Sequence, residues 1–313
     1  MDIKPVCILC LITRAFREIQ YSTNDTTVQF KAMKEILQLV NNIINELNNP
    51  MHLVPAYIGT LRDRSIKTIT GCPDPYREQK IKSNEIALEL RSKLEKIING
   101  ESDSYKRFRL ACIAAIVGNI IEFDIVGHRF NLEKISELVE KAEEELAIDD
   151  ISLLFEKVKP ETRILYLTDN AGEIALDVLL VKELRMLGAE VTVAVKEKPV
   201  LNDATLEDAQ AVNMIKTANQ VITTGTDTVG IILEECSETF LEHYRNSDLI
   251  IAKGMGYFET MTGYDPQTGS HLKHPSDVFF LLRTKCDPVA MSLGVKRDKN
   301  VAKYLPANAV IEC

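Results

Sequence analysis

The pattern of apolar residues changes near residue 161, and this change limits the fold more than any other feature of the chain. Beyond it, short apolar runs alternate with segments of helical period. The runs are RILYLT, EVTVAVK, QVITTG, DLIIAKG and VFFLLRT. Such alternation predicts βαβ units on a largely parallel sheet with helices on both faces. We therefore expect an α/β domain over residues 156–313.

The residues before this point have the pattern of helices. Segments 27–47, 84–100 and 131–147 place apolar residues on one face at helical spacing. Segment 105–124 is apolar on more than one face, which predicts a buried helix. We expect residues 1–155 to form a mostly helical domain that covers a site on the α/β domain.

The composition and the first residues of the sequence indicate where in the cell the protein is found. Apolar residues make up 45% and charged residues 27% of the 313, as in ordinary globular proteins. No apolar run approaches the roughly 18 residues that span a bilayer, and MDIKPVCILCLITRAF is a poor secretory signal. Seven cysteines, an odd number, fit a reducing compartment. These features predict a cytoplasmic protein without a membrane partner.

The charge of the chain limits its partners. A formal net charge of −9 argues against nucleic-acid binding, because phosphate backbones would be repelled. An acidic protein still binds a small anion where a metal or fixed donors supply positive potential. We therefore expect a small-molecule partner; the sequence does not indicate an oligomeric state.

The stretch YLTDNAGEI places polar side chains where a predicted strand becomes a helix. Asp169 and Asn170 follow the strand, and Ala171 and Gly172 allow a tight turn into a helix whose first N–H groups can bind an anion. Ligands of open α/β sheets bind beyond the carboxyl ends of the strands. Carboxylate and amide oxygens suit Mg²⁺ or Mn²⁺. The alternative is that one of these residues only caps the helix.

Two further strand ends carry polar side chains. Asp203 follows the next predicted strand, 34 residues after Asp169, which is about one βα unit. Lys253 ends the run DLIIAK and is suited to hold a phosphoryl group. Its alternative interpretation is a surface lysine. Three strand ends with this chemistry favour a shared site.

Other candidate ligand contacts lie outside these strand ends. Asn119 and Glu122 share a helix face, and they either bond to nearby backbone or close over the sheet edge and bind substrate hydroxyls. The loop TTGTDTVG contributes Gly225, Thr226 and Asp227 as candidates. No G-x-G-x-x-G follows a predicted strand, which argues against a dinucleotide site.

Three cysteines are candidates for a cluster. Cys7 and Cys10 have C-x-x-C spacing, and Cys286 is a candidate third member. A structural metal or redox role competes with the ordinary role of cysteine as a small buried residue.

The motifs TDNAGE, PVLNDAT, TTGTDTVG, AKGMGYFE and VGNIIEFD together resemble those of the metal-dependent damage-control phosphatase family, long catalogued as a domain of unknown function. The likeness covers nearly the whole chain. The segments MDIKPVCILCL, GCPDPYREQK and LLRTKCDPVA resemble its compact archaeal and bacterial branch.

The resemblance implies a Rossmann-like three-layer α/β/α domain with a helical domain, and a divalent metal on Asp169, Asn170 and Asp203. It further implies a phosphate-binding role for Lys253 and hydrolysis of phosphate monoesters of small, sugar-like or damaged metabolites. The implied metals are Mn²⁺, Co²⁺, Ni²⁺ or Mg²⁺, and oxygen ligands favour Mn²⁺ or Mg²⁺. The eukaryotic branch has Arg-Thr-x-Lys where this chain has Ile250-Ile251-Ala252-Lys253, so its substrate is not expected here.

These inferences define one leading hypothesis and two alternatives. The candidate catalytic residues are Asp169, Asp203 and Lys253. The candidate substrate-binding residues are Asn119, Glu122, Gly172, Glu173, Gly225, Thr226, Asp227 and Lys253. The alternatives are an S-adenosylmethionine-dependent methyltransferase, which would need no metal, and a non-catalytic metal-binding protein.

Overall fold

The N-terminal part of the chain is helical in the structure, a computed structural model that describes residues 3–46, 53–124, 135–263 and 272–310. Its helices are α1 (Pro5–Ser22), α2 (Thr26–Glu46), α3 (Pro55–Thr70), α4 (Arg77–Gly100), α5 (Ser104–Asp124) and α6 (Ile135–Glu144). No helix within the described ranges is long and apolar enough to cross a membrane.

Strands and helices alternate from residue 146 onward. The strands are β1 (Leu146–Asp149), β2 (Arg163–Leu167), β3 (Glu190–Val195), β4 (Gln220–Thr223), β5 (Leu249–Lys253), β6 (Asp277–Arg283) and β7 (Asn300–Leu305). The helices are α7 (Ile151–Lys157), α8 (Glu173–Met186), α9 (Leu206–Ala211), α10 (Met214–Thr217), α11 (Glu238–Asn246), α12 (Gly254–Met261) and α13 (Asp287–Ser292). The predicted α/β class is confirmed, and β2 to β6 are the five strands that the sequence predicted.

Within the described residues the strands form one sheet in the order β1-β7-β6-β5-β2-β3-β4. Neighbours are parallel except for the antiparallel pair β6–β7. The chain runs from β2 through β3 to β4 on one side and then returns to place β5 on the other side of β2. The strand order therefore reverses between β2 and β5, which is the point where open α/β sheets bind ligands.

Both faces of the sheet are covered. On one face, α4, α5 and α8 share a core with side chains such as Tyr166 and Ile251. On the other face, α11, α12 and α13 pack against residues such as Leu165 and Ile250. Coverage on both faces explains why the central strands are almost continuously apolar and buried.

The helices of the N-terminal part belong to two cores. Helices α1, α2 and α3 bury a separate cluster that includes Leu11, Ala15, Ile36 and Ile58. Helix α5 instead lies in the layer on the sheet, and residues 111–117 are fully buried, which explains its apolar character on every face. The described cores therefore group α4 and α5 with the sheet, and the division at residues 155 and 156 stays a prediction.

Candidate active site

The loops after β2 and β3 pair with each other beside the point where the strand order reverses. Asn170 and Asp203 form an antiparallel bridge. The N–H of Ala171 donates to the carbonyl of Asn202 at 2.9 Å, and the N–H of Ala204 donates to the carbonyl of Asp169 at 2.8 Å. Directly opposed residues in such a bridge have neighbouring side chains. The backbone therefore brings the three predicted metal ligands together.

The amide of Asn170 has a determined direction because it lies between two carboxylates. Its Nδ2 donates to Oδ2 of Asp169 at 2.9 Å and to Oε2 of Glu173 at 3.1 Å. Carboxylate oxygens accept hydrogen bonds, so the amide must turn its N–H group toward them. Its Oδ1 then faces the other way and is the atom able to bind a cation.

The carboxylate of Asp169 occupies space that a side chain at position 254 would fill. A Cβ built on Gly254 would lie 1.9 Å from Oδ2 of Asp169, and Gly254 has a φ of +78°. Both the close approach and the positive φ require glycine here. The first residue of α12, after β5, therefore shapes the pocket of a ligand that belongs to the loop after β2.

The donor set fits a hard divalent cation. Asp169 is half-buried, Asn170 and Asp203 are buried, and together they offer two carboxylates and one amide oxygen. In the part of the chain that the structure describes, no group of three or more His, Cys, Asp or Glu side chains is arranged to hold a metal. Mg²⁺ and similar ions need few protein ligands, because water and substrate oxygens complete their coordination. Binding of a cation by these residues stays a prediction.

Lys253 is a buried lysine that bonds to protein oxygens. Its side chain is 0% exposed, which excludes the surface alternative. The ammonium donates to the carbonyl of Ala115 at 2.8 Å, to Oε1 of Glu173 at 2.5 Å and to Oδ1 of Asp177 at 2.7 Å. Burial lowers the pKa of Lys253, but the charges of Asp177 and Glu173 outweigh burial and raise it. In this arrangement all three ammonium protons have acceptors, and the phosphate-binding role stays a prediction.

Asp177 completes this buried group. It accepts from Lys253 and from the hydroxyl of Tyr166 at 2.7 Å. Burial raises the pKa of Asp177 to about 6, although Lys253 acts in the opposite direction. The group lies in the layer between β5, α5 and α8, and it reaches the predicted metal ligands through Glu173 and Asn170.

Gly172 and Glu173 organise the loop that carries two of the predicted ligands. The N–H of Gly172 donates to Oδ1 of Asn84 at 2.7 Å, and Nδ2 of Asn84 donates to Asp208 at 2.8 Å. Glu173 bonds to Lys253 and Asn170, and its Cγ lies 2.9 Å from the position of a Cβ on Gly118. Gly172 and Glu173 therefore bond to protein groups in this structure, and their contacts with substrate stay predictions.

The loop after β4 is attached to α3. Asp227 accepts from Nε of Arg64 at 2.9 Å and lies 3.6 Å from Nζ of Lys67. Burial raises the pKa of Asp227, but the guanidinium of Arg64 outweighs burial and lowers it. Oγ1 of Thr226 donates to Glu235, and a Cβ on Gly225 would lie 2.6 Å from Ser237. Contacts of Gly225, Thr226 and Asp227 with substrate stay predictions.

The remaining candidates lie at the edges of the described structure or away from the loops after β2 and β3. The side chains of Asn119 and Glu122, in the last turns of α5, fall outside the part that the structure describes. Cys7 is buried, Cys10 exposed and Cys286 half-buried. Burial raises the pKa of Cys286 to about 11, and the neighbouring Cys7 and Cys10 act in the same direction. A functional role for the three thiols stays a prediction.

Sequence reasoning missed one buried lysine beside these loops. Lys196 directly follows β3, is 1% exposed, and has its Nζ 3.7 Å from Oδ2 of Asp203. The rule that singled out Lys253, a polar residue at the end of a buried strand, applies equally to Lys196 in EVTVAVK. Arg64, Lys67 and Asn84 carry no such signal, because their roles come from contacts between distant parts of the chain.

Known proteins match this sequence over nearly its whole length. Residues 3–301 match the model of the damage-control phosphatase ARMT1-like domain. A Methanocaldococcus jannaschii protein is 38% identical over 96% of this chain and 95% of its own length. The damage-control phosphatase PH1575 of Pyrococcus horikoshii is 35% identical over 95% and 96%, and a damage-control phosphatase of Archaeoglobus fulgidus is 34% identical over 97% and 100%.

A solved structure extends the likeness to three dimensions. The crystal structure of the duf89 family protein from Pyrococcus horikoshii matches with a TM-score of 0.82 at 34% identity, over 99% of this chain and 100% of that chain. The family model and the relatives span nearly the whole sequence. The chain therefore belongs to the damage-control phosphatase family with an ARMT1-like domain.

Proposed function

We propose that this protein is a metal-dependent phosphatase that hydrolyses phosphate monoesters of small, sugar-like or damaged metabolites. Family membership supports a phosphatase, and two relatives that align over nearly their full length are named damage-control phosphatases. The observation that carries the metal dependence is the bridge between Asn170, in the loop after β2, and Asp203, in the loop after β3.

In this proposal Asp169, Asp203 and Oδ1 of Asn170 hold a divalent cation, which is Mn²⁺, Co²⁺, Ni²⁺ or Mg²⁺. When bound, the ion would polarise a phosphoryl oxygen and neutralise charge that develops during transfer. Mn²⁺ or Mg²⁺ fits the all-oxygen donor set better than Ni²⁺ does.

The other residues of the site keep these ligands in place. Glu173 holds the amide of Asn170 from one side, and Lys253 holds Glu173. Such supporting contacts orient ligand atoms before the cation arrives. Asp169 or Asp203 would orient the attacking water.

The test is phosphate release from a panel of sugar phosphates and other phosphometabolites, each with Mn²⁺, Co²⁺, Ni²⁺, Mg²⁺ or a chelator. We expect release that depends on the ion. Asp203→Asn should lower it more than about 100-fold, because loss of a ligand should exceed the 10- to 100-fold cost of losing a supporting contact. The matched control is Asp298→Asn, which alters an exposed aspartate and should behave as the wild type.

Each competing function has its own outcome in this test. Thermal stabilisation by the ions with intact phosphate esters would support a non-catalytic metal-binding protein. Binding of S-adenosylmethionine without any metal would support the methyltransferase. Equal phosphate release by Asp203→Asn and the wild type would contradict the proposed site.

A further inference from the structure

Lys196 is a second buried cation at the carboxyl edge of the sheet. Among the described residues its ammonium has two hydrogen-bond acceptors, the carbonyl of Gly230 at 2.5 Å and the hydroxyl of Tyr257 at 3.2 Å. The Nζ also lies 4.6 Å from the centre of the Tyr257 ring. Residues from the loops after β3 and β4 and from α12 therefore meet at this one ammonium group.

The third neighbour of Lys196 is a predicted metal ligand. Oδ2 of Asp203 lies 3.7 Å from Nζ, within the range of charge attraction but too far for a hydrogen bond. An ammonium carries three protons. With two acceptors in bonding range, Lys196 has one proton directed to the side of Asp203.

The two lysines beside the site therefore differ in what they can offer a ligand. Lys253 donates to three protein oxygens at 2.8 Å or less, so it binds a further anion only by giving up one of them. Lys196 can bind an oxygen that lies beside Asp203 without losing Gly230 or Tyr257. A phosphoryl oxygen bound to the same cation as Asp203 would occupy that kind of position.

The net charge around each lysine also distinguishes the two. The charges of Glu173 and Asp177 surround Lys253 and leave no excess positive potential for an anion there. Asp169, Asp203 and Lys196 together carry one negative charge when ionised, and a divalent cation would bring their total to one positive charge. A phosphate anion is attracted to such a group and is held by the charges on both sides of it.

We propose that Lys196 contacts a phosphoryl oxygen of the bound substrate, and that Lys253 acts as a positioning residue through Glu173. This inference rests on the proposed phosphatase function. It assigns to Lys196 the phosphate contact that the sequence predicted for Lys253.

Isothermal titration calorimetry on the full-length protein tests the assignment in two steps, first with Mn²⁺ alone and then with inorganic phosphate added to the Mn²⁺-loaded protein. For Lys196→Met we expect Mn²⁺ affinity equal to or tighter than the wild type, because a positive charge near the ion has been removed. Phosphate affinity should fall about 10- to 100-fold, the loss of one hydrogen bond between charged groups. In turnover the same variant should show a raised KM.

The controls separate this role from a structural one. Lys198→Met makes the same change at an exposed lysine two residues away and should match the wild type in both titrations. Lys196→Gln keeps an N–H donor for Gly230 without the charge, and it should show the same selective loss of phosphate affinity. A merely structural role would weaken Mn²⁺ and phosphate binding together, and that result would overturn the assignment.

A crystal structure of the wild type with Mg²⁺ and phosphate tests the contact even where both variants fail to fold. A phosphate oxygen within about 3.2 Å of Nζ of Lys196 is expected. Phosphate bound to Nζ of Lys253 with Lys196 out of reach, or wild-type phosphate affinity in a folded Lys196→Met, would overturn the proposal. Failure of the proposed function has a different signature, namely wild-type protein that hydrolyses no phosphate ester with any ion.

Discussion

Two lysines lie at the ends of the strands on either side of β2, and their surroundings differ. Lys253 ends β5 and is held by Glu173, Asp177 and the carbonyl of Ala115. Lys196 follows β3 and is held by one carbonyl and one tyrosine hydroxyl, with Asp203 3.7 Å away. The two lysines lie on opposite sides of β2 and one residue apart in register; Lys253 bonds to buried carboxylates, whereas Lys196 faces a predicted ligand. The position of a polar residue at a strand end indicates a candidate site, and the partners of its side chain indicate its role there.

The largest expected effect is the loss of protein stability when Lys253 is replaced. Lys253→Met leaves Glu173 and Asp177 buried without their cation, which should lower the free energy of unfolding by about 3–5 kcal/mol. Urea denaturation of the folded protein measures this change. Lys198→Met, at an exposed position, should stay within about 0.5 kcal/mol. A loss below about 1 kcal/mol in Lys253→Met would show that the buried carboxylates do not depend on this lysine.

The next effect concerns the residue after Lys253. Gly254→Ala places a Cβ 1.9 Å from Oδ2 of Asp169, so the carboxylate must move away from its position. We expect activity to fall more than about 100-fold, because displacement of a ligand should cost more than loss of a supporting contact. Gly294→Ala is the matched control, since Gly294 also has a positive φ, +67°, but no heavy atom lies within 4 Å of its Cβ position. Equal activity of the two variants would contradict a role for Asp169 in the site.

Asp177, which accepts a hydrogen bond from Lys253, should also make the stability of the protein depend on pH. Burial raises the pKa of Asp177 to about 6, above the value of about 3.9 for an unfolded chain, so the folded protein binds the proton more tightly. The resulting stabilisation is present below about pH 4 and is lost as pH rises through 6, a change of about 2–3 kcal/mol. Asp177→Asn should remove this decline. Thermal unfolding from pH 4 to 7 measures it, and a wild type whose decline matches that of the variant would contradict the assignment.

The smallest expected effect is on Mn²⁺ affinity, through contacts between α3 and the loop after β3. Nζ of Lys67, on α3, donates to the carbonyl of Pro199 at 2.5 Å and pairs with Asp63, which accepts from the N–H of Leu201 at 3.1 Å. These contacts hold the loop that leads to Asp203. Lys67→Met should weaken Mn²⁺ binding by about 10-fold, the lower end for a supporting contact. An unchanged Mn²⁺ affinity in calorimetry would show that α3 does not support the metal ligands.

The fold could be predicted where local pattern and burial agree. Strands β2 to β6 are short apolar runs bounded by turn residues, and their alternation with helices indicated the α/β class. Strands β1 and β7 were not predicted, because LAID spans only four residues with alternating exposure and NVAKYL interrupts its apolar residues with Asn300 and Lys303. Neither has the continuous apolar character of a strand buried on both faces.

The site could be predicted only where the order of strands and loops determines which residues meet. The end of each parallel strand lies on the same edge, so Asp169, Asn170 and Asp203 could be placed together from their positions in the chain. The partners of Lys253 could not be predicted from the sequence, because Glu173 and Ala115 lie 80 and 138 residues away from it. The direction of the Asn170 amide likewise depends on two carboxylates whose placement is tertiary.

The most direct test of the central claim is the anomalous difference map of crystals soaked in Mn²⁺. We expect one strong peak with Asp169, Asp203 and Oδ1 of Asn170 at about 2.0–2.6 Å, the range of bonds between hard cations and oxygen. A peak elsewhere, with these three side chains binding no ion at saturating Mn²⁺, would contradict it.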